Sequence, residues 1–269
     1  MSDSPAGDLP DLRRMLRQHA ESLRAAGIEW LPRPAGETRR HGDTETRRQG
    51  AEANESMAGV PPSLFEPVQA GPQLTVEEKQ RELQVLNETQ VVGCTKCAEL
   101  VRCRTQTVFG VGSPAAELVF VGEAPGADED AQGEPFVGAA GQLLNKIIIA
   151  CKMKREDVYI CNILKCRPPN NRDPQPTEME TCSPYLLKQI EILKPKFIIC
   201  LGRISAQWLL RTNDSLTTMR SKVHDFLGAK LIVTYHPAAL LRNPNWKRPA
   251  WEDMKMFKKL YDEMKTGTA

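Results

Sequence analysis

The segment Leu118-Val-Phe-Val-Gly122-Glu-Ala-Pro-Gly126 decides the fold, because a short apolar run ends in a polar turn rich in glycine and proline. Such a run is typical of a strand that is buried on both faces of a parallel sheet. Comparable runs occupy residues 158–162, 197–201 and 231–234, and each one alternates with a helical pattern. The sequence therefore predicts an α/β fold with three α/β/α layers around a central four-stranded, mostly parallel sheet.

The helical segments have the spacing and end signals expected between such strands. Thr75 and Glu78 form a capping-box pattern that predicts a helix over residues 75–90. Further helices are predicted at residues 141–151, 177–193, 204–210 and 250–264.

The first 73 residues have a different composition. Leu9, Leu12, Leu16 and Leu23 recur near helical spacing, so residues 1–33 are expected to contain an amphipathic helix. Two interpretations stay open: the helix packs on the main domain, or it docks on a protein partner. Residues 34–73 have few apolar anchors and are expected to be a disordered linker. The compact domain is predicted at residues 74–269.

Bulk properties restrict the classes of protein and the compartment. The chain has 36 basic and 34 acidic residues, so a nucleic-acid-binding surface would have to be local. The N-terminus does not have the pattern of a signal peptide, and no apolar run is long enough to span a bilayer. A monomer in the reducing cytoplasm is expected, where eight spaced cysteines favour metal binding over disulfides.

Four cysteines have a spacing that suggests a metal centre. Cys94 and Cys97 form a C-x-x-C pair, and Cys166 and Cys182 follow far downstream. Four thiolates suit either tetrahedral zinc or an iron–sulfur cluster, although the missing second C-x-x-C pair weakens the case for zinc. Cys103 is close enough in sequence to compete as a ligand. Three other cysteines lie in apolar runs and are expected to be buried without a function: Cys151, Cys161 and Cys200.

Polar side chains follow three of the predicted strands. Glu123 follows the first strand, Asn162 ends the second, and His236 follows the last. In a parallel sheet, ligands bind beyond the carboxyl ends of the strands. These side chains are therefore expected to converge on one crevice.

Four motifs in sequence order carry a resemblance to a known family over roughly residues 85–264. They are Cys94-Thr-Lys-Cys97, Gly122-Glu-Ala-Pro-Gly126 running on to Phe136, Asn162 with Cys166 and Cys182, and His236-Pro-Ala-Ala-Leu-Leu-Arg242. In this combination the chain resembles the iron–sulfur uracil-DNA glycosylases of family 4. The resemblance implies a uracil-DNA glycosylase fold, a DNA repair enzyme that removes uracil, and a [4Fe–4S] cluster on the four cysteines named above.

The resemblance also implies a pocket for a base that has been flipped out of the duplex. Phe136 would stack on the base. The Asn162 amide would pair with uracil O4 and N3–H, whereas cytosine presents the reverse pattern. His236 would donate a hydrogen bond to uracil O2 as negative charge develops on the leaving base.

The attacking water needs a carboxylate, and the acidic loop offers more than one. The resemblance favours Glu129 as the group that orients or activates this water. Glu123, at the end of its strand, remains a second candidate. Backbone N–H groups near Ala127 are expected to contact the base.

Contacts with DNA are expected from two loops. Leu240 or Leu241 would fill the gap left by the flipped base, as apolar wedges do in other DNA complexes. Arg242 would hold a phosphate, and Arg167 and Arg172 are candidates for further phosphate contacts.

Two other functional classes compete with a glycosylase that uses water and leaves an abasic site. One is a non-catalytic iron–sulfur protein of the same fold that binds DNA or associates with a polymerase. The other is a zinc-stabilised hydrolase of small nucleotides. No lysine lies in a segment suited to Schiff-base chemistry, so lyase activity is not expected.

Overall fold

The computed structural model describes residues 74–267. The predictions of an N-terminal helical segment at residues 1–33 and a linker at 34–73 lie outside the described residues. None of the described helices is long and apolar enough to cross a membrane.

A six-stranded mixed sheet forms the centre of the domain, in the order β1-β3-β2-β4-β6-β5. The strands are β1 Val111–Gly112, β2 Leu118–Gly122, β3 Tyr159–Asn162, β4 Phe197–Leu201, β5 Val223–Phe226 and β6 Ala229–Thr234. The central strands β3, β2, β4 and β6 are parallel, whereas β1 and β5 pair antiparallel at the two edges. The four predicted strands are thus the four central ones, and the sheet is wider than predicted by two edge strands.

The register of the parallel strands β2 and β3 places their carboxyl ends side by side. Gly122 at the end of β2 pairs with Asn162 at the end of β3. The backbone N–H groups of Ile163 and Leu164 then donate to the carbonyls of Gly122 and Glu123 (3.1 and 3.0 Å). The loop that follows Asn162 is therefore anchored to the loop that follows β2.

Helices cover both faces of the sheet. They are α1 Val76–Leu86, α2 Ala98–Cys103, α3 Ala127–Gln132, α4 Ala139–Ala150, α5 Pro176–Leu193, α6 Arg203–Leu210, α7 Leu216–Met219, α8 Pro237–Arg242 and α9 Lys247–Thr266. The capping box predicted for α1 is present, since the Thr75 N–H donates to Glu78 (2.7 Å) and the Glu78 N–H donates to the Thr75 hydroxyl (3.2 Å). A short π-helix, Asn87–Val91, continues α1.

The side chains of each central strand divide between two apolar cores. Val119 and Val121 of β2 pack with buried residues of α1, α5 and α6. Leu118 and Phe120 of the same strand pack with buried residues of α4 and α9 on the opposite face. Strand alternation thus produces two cores, and the predicted three-layer α/β/α arrangement is confirmed.

Candidate active site

A cavity of about 350 Å³ lies at the carboxyl ends of the central strands. Seven of the side chains singled out from the sequence line it: Glu123, Glu129, Phe136, Asn162, Arg172, His236 and Arg242. A wider cleft of about 670 Å³ at the opposite end of the sheet contains none of them. The expected convergence on one crevice is therefore what the structure has.

Asn162 lies at the closed end of the cavity and is only 1% exposed. Its Oδ1 has no hydrogen-bond partner among the described residues. A buried polar atom is normally paired, so an unpaired acceptor in a cavity wall indicates a ligand that donates a hydrogen bond there. Gly122 makes room for this amide, because a Cβ at that position would collide with the Asn162 Oδ1.

Phe136 lies against the same glycine and forms a wall of the cavity. The Phe136 ring is 2.8 Å from the position that a Cβ on Gly122 would take. Its backbone has a φ of 56°, a left-handed conformation that is uncommon for an aromatic residue. A side chain at Gly141 would collide with the Phe136 carbonyl, so the turn depends on that glycine. Backbone strain at a cavity wall is a feature of functional sites.

His236 faces the Phe136 ring at a centroid distance of 5.5 Å. It is the N-cap of α8, and its Nδ1 accepts a hydrogen bond from the Ala238 N–H (3.2 Å). Burial, reinforced by the charge of Arg242, lowers the pKa of His236 to about 4. The ring is therefore neutral near pH 7, and because Nδ1 accepts, the proton is on Nε2. The structure thus produces a neutral hydrogen-bond donor at the cavity.

Glu129 is held in a fixed position by the backbone of its own loop. Its Oε2 accepts from the Gly126 N–H (3.1 Å), and its Oε1 accepts from the N–H groups of Val137 and Gly138 (3.0 and 3.3 Å). These bonds connect the start of α3 to the turn that carries Phe136. Glu129 therefore lines the cavity as a rigid carboxylate and also stabilises the Phe136 turn.

Glu123 is the second carboxylate of the cavity. Burial, with a contribution from the nearby Asp173, raises the pKa of Glu123 to about 7, against the opposing charges of Arg203 and Arg242. Near neutral pH this carboxyl group is therefore divided between its charged and neutral forms. The two candidate carboxylates thus differ in environment. Backbone N–H groups bind the Glu129 carboxylate, whereas Glu123 lies in a low-dielectric environment.

The two leucines of α8 differ in solvent exposure. Leu240 is 2% exposed and packs inside the domain, whereas Leu241 is 45% exposed. The assignment of a DNA contact to Leu240 does not agree with this burial, and Leu241 is the leucine of the pair that is exposed to solvent. Arg242 is exposed and lines the cavity. Ala127 begins α3 at the surface and does not line the cavity, although its neighbour Gly126 does.

The four predicted metal ligands lie beside one of the two apolar cores, the one that includes residues of α1, α5 and α6. All four pack on the same apolar core, with Cys166 and Cys182 buried and Cys94 and Cys97 partly buried. The Cys97 thiol interacts electrostatically with Cys166 and Cys94, and Cys182 interacts with Cys166 and Cys97. Cys103, the competing candidate, is exposed at the end of α2.

Polar groups surround these sulfur atoms. Arg104 Nη1 donates to Cys166 Sγ (2.9 Å), the Tyr185 hydroxyl donates to Cys94 Sγ (3.4 Å), and the Lys165 N–H donates to Cys182 Sγ (3.3 Å). Burial raises the pKa of the Cys182 thiol to about 12, against the opposing charge of Lys165. Within residues 74–267, no group of three or more His, Cys, Asp or Glu side chains is gathered closely enough to hold a single metal ion.

Comparison with known proteins agrees with this geometry. Residues 109–258, more than half of the chain, match the model of the uracil DNA glycosylase superfamily. The type-4 uracil-DNA glycosylase of Archaeoglobus fulgidus is 46% identical over 179 residues, which cover 64% of this chain and 89% of that protein. The chain belongs to the type-4 uracil-DNA glycosylase family.

Two other type-4 uracil-DNA glycosylases have similar identities. The protein of Sulfurisphaera tokodaii is 47% identical over 180 residues, covering 64% of this chain and 81% of that protein. The protein of Thermotoga maritima is 45% identical over 164 residues, covering 60% of this chain and 85% of that protein. The resemblance that the sequence motifs indicated is therefore confirmed.

Several features of this type-4 site were not predicted from the sequence. Arg104 donates a hydrogen bond to Cys166 Sγ, although the sequence around Arg104 contains no recognisable motif. Arg172, expected at a DNA phosphate, instead binds Glu178 through two hydrogen bonds (2.6 and 2.9 Å) and Glu99 through a third (2.8 Å). Its guanidinium is thus occupied in bracing the loop after Asn162 against α2 and α5.

Proposed function

We propose that this protein removes uracil from DNA by hydrolysing the N-glycosidic bond, leaving an abasic site for base excision repair. The observation that carries the proposal is the buried Asn162 amide with an unpaired Oδ1 at the closed end of a cavity walled by Phe136. Membership of the type-4 uracil-DNA glycosylase family supports the same reaction.

Base recognition depends on the Asn162 amide. Uracil N3–H would donate to Oδ1, and the Asn162 amide N–H would donate to uracil O4. Cytosine has an acceptor at N3 and a donor at its exocyclic amine. Its N3 would therefore face the Asn162 Oδ1, acceptor against acceptor, and its amine would face the Asn162 N–H, donor against donor. Because the cavity is buried, each mismatched pair would leave polar groups unpaired, which costs about 1–3 kcal/mol per group.

Stabilisation of the leaving base is assigned to His236. The Nε2–H of its neutral ring would donate to uracil O2 as the glycosidic bond lengthens and negative charge develops on the base. A donor that is already fixed by the Ala238 N–H needs no reorganisation during the reaction. Phe136, which faces the His236 ring, would stack on the base and hold its edge toward Asn162.

Glu129 is the proposed positioner of the attacking water. Three backbone N–H groups fix its carboxylate, so its remaining lone pairs point in defined directions at the cavity. The water would add to the sugar carbon as the base departs, and its proton would pass to the carboxylate or to solvent. A positioned carboxylate also stabilises the positive charge that develops on the sugar.

Entry of the base requires the DNA to be opened. Leu241 is the exposed apolar side chain next to the cavity and would occupy the space of the flipped base. Arg242 would hold an adjacent phosphate, a contact that carries no sequence information.

We further propose that Cys94, Cys97, Cys166 and Cys182 hold a [4Fe–4S] cluster. Four thiols that pack on one apolar core and interact electrostatically with one another supply the ligand type and number that such a cluster takes. When bound, the cluster supplies a crosslink between the C-x-x-C segment and the loop after Asn162. The hydrogen bonds from Arg104 and Tyr185 would stabilise the thiolates.

The direct test is excision from a labelled oligonucleotide with a single uracil, followed by alkali to cleave abasic sites. The cluster-loaded full chain is expected to cleave strands with uracil and to leave the same strands with cytosine or thymine intact. Single-stranded DNA and U·G and U·A duplexes are compared. Intact uracil strands in all three substrates would contradict the proposed function.

The pH dependence of excision distinguishes the two carboxylates. Because Glu123 ionises near pH 7, a negative charge forms beside the departing uracil as the pH rises. The excision rate is expected to fall as pH rises through about 7. Glu123→Gln mimics the neutral acid and is expected to remove that decrease. His236, with a pKa of about 4, stays neutral over this range and adds no second transition.

The opposite pH profile would change the assignment. If the rate increases through about pH 7 and Glu123→Gln abolishes excision, then ionised Glu123 positions the water instead of Glu129. Glu129→Gln is the matched variant, because it removes the charge of the other carboxylate and keeps its size. Single-turnover rates between pH 5 and pH 9 are the required measurement.

A further inference from the structure

The side-chain amine of Lys165 is buried in the centre of the domain and only 1% exposed, and this burial lowers its pKa. It follows Asn162 by three residues and directly precedes Cys166. Within residues 74–267, no Asp or Glu forms an ion pair with it, in contrast to buried Arg220, which pairs with Asp253 at 2.7 Å. Lysine is almost never fully buried without a paired charge, so this position requires an explanation.

Two hydrogen bonds fix the ammonium group. Its Nζ donates to the main-chain carbonyl of Asn162 (2.8 Å) and to Oε1 of Gln189 (2.6 Å). Gln189 is itself held, since its amide N–H groups donate to the Phe109 carbonyl (3.0 Å) and the Tyr159 hydroxyl (3.1 Å). Lys165 therefore contacts the backbone of the base-reading residue from a rigid support on α5.

The backbone of Lys165 contacts one of the proposed cluster ligands. The backbone N–H of Lys165 donates to Cys182 Sγ (3.3 Å). The thiols of Cys182 and Cys166 also interact electrostatically with the ammonium group. One residue thus touches a cysteine with its backbone and the Asn162 carbonyl with its side chain.

We propose that Lys165 is a positioning residue that connects the cluster-binding thiols to the Asn162 amide. This inference rests on the proposed function and on the proposed cluster. A cluster with four thiolate ligands carries net negative charge, which supplies the buried ammonium with the counter-charge that no described carboxylate provides. The ammonium in turn holds the carbonyl of Asn162, so the orientation of the base-reading amide depends on the occupied thiol site.

The test uses Lys165→Met, which keeps the length and apolar volume of the side chain and removes its charge and its donors. The cluster-loaded variant is expected to have a reduction potential more negative than wild type, because a nearby positive charge that favours the reduced cluster is gone. Its kcat/KM for uracil excision is expected to fall about 100-fold, as for a misplacement of about 1 Å at a reacting group.

The variant Gln189→Glu separates two effects of Lys165: the effect of its charge on the cluster potential, and the effect of its hydrogen bond to Asn162 on excision. The bond that Gln189 donates to the Phe109 carbonyl is lost, whereas the Tyr159 hydroxyl can reverse and donate to the new carboxylate. The carboxylate lies next to the Lys165 amine and lowers the cluster potential, while the Lys165 bond to the Asn162 carbonyl stays in place. A more negative potential with most of the excision rate retained is expected. Lys96→Met is the matched control, because it removes an exposed positive charge beside Cys97 that has no contact with Asn162. It is expected to leave excision unchanged.

Three results would overturn the inference. They are excision by Lys165→Met at the wild-type rate, an unchanged potential in that variant, and equal loss of excision in Gln189→Glu at full iron content. If Lys165→Met does not fold, Gln189→Glu alone decides, since the inference requires it to shift the potential without abolishing excision. A wild-type protein that does not excise uracil would instead refute the proposed function, and the potentials would still test the charge pairing.

Discussion

Asn162→Ala is expected to lower kcat/KM for uracil excision by about three orders of magnitude. The variant removes both hydrogen bonds to the base edge in a buried cavity, and loss of one fixed donor at a reacting oxygen costs about 10²–10³ in rate. The decrease should appear equally on single-stranded and duplex substrates, because base reading follows flipping. Single-turnover excision with excess enzyme measures it without interference from product release.

Two further variants make the Asn162 result specific. Asn162→Asp keeps the size of the side chain and replaces its N–H donors by an acceptor, so uracil O4 would meet an oxygen and excision is again expected to be lost. Asn213→Ala, in an exposed loop after α6, is the control and should match wild type. Excision by Asn162→Ala within about tenfold of wild type would show that another group reads the base, since a buried hydrogen-bonding site discriminates far more strongly.

Cys166→Ala is expected to remove the cluster and to destabilise the whole domain. A structural metal centre contributes its binding free energy to folding, so its loss should cost several kcal/mol. For a domain of this size that corresponds to a melting temperature lower by about 10 °C or more. The purified variant should be colourless and contain little iron, whereas wild type should contain about four irons per chain.

Cys103→Ala is the matched control for the cluster prediction. Cys103 is exposed at the end of α2, and its variant should keep the colour, the iron and the melting temperature of wild type. The reverse outcome, with iron lost in Cys103→Ala and kept in Cys166→Ala, would replace Cys166 by Cys103 in the ligand set. Zinc in the wild-type protein, with no iron or sulfide, would refute the iron–sulfur assignment.

The central strands could be predicted from the sequence because burial on both faces leaves a continuous apolar run. The edge strands could not. β1 has only two residues, of which Gly112 has a φ of 137°. β5 alternates exposed and half-buried residues and is completed by its antiparallel pairing with β6, a contact that local pattern does not encode.

The location of the site was predictable, and the division of roles among neighbouring residues was not. Strand ends identified Asn162 and His236, because a parallel sheet brings such ends together. The difference between Leu240 and Leu241 depends on which side of α8 faces the core, and six residues define too little periodicity to decide it. Arg172 was a candidate for a DNA contact because the sequence of its loop gives no sign of the ion pairs with Glu178 and Glu99, which form only when the loop packs on α2 and α5. Lys165 was overlooked because lysine in a loop is usually solvated.

The four thiols join the two ends of one long chain segment. Between Cys97 and Cys166 the chain forms β1 to β3 with α2, α3 and α4, and it carries both Phe136 and Asn162. A bound cluster would close this segment into a loop and remove conformational entropy from its unfolded ensemble, as any covalent crosslink does. With the cluster bound, this stabilisation would extend to the Phe136 turn, and a constraint on chain entropy would help to retain the left-handed backbone there against its local strain.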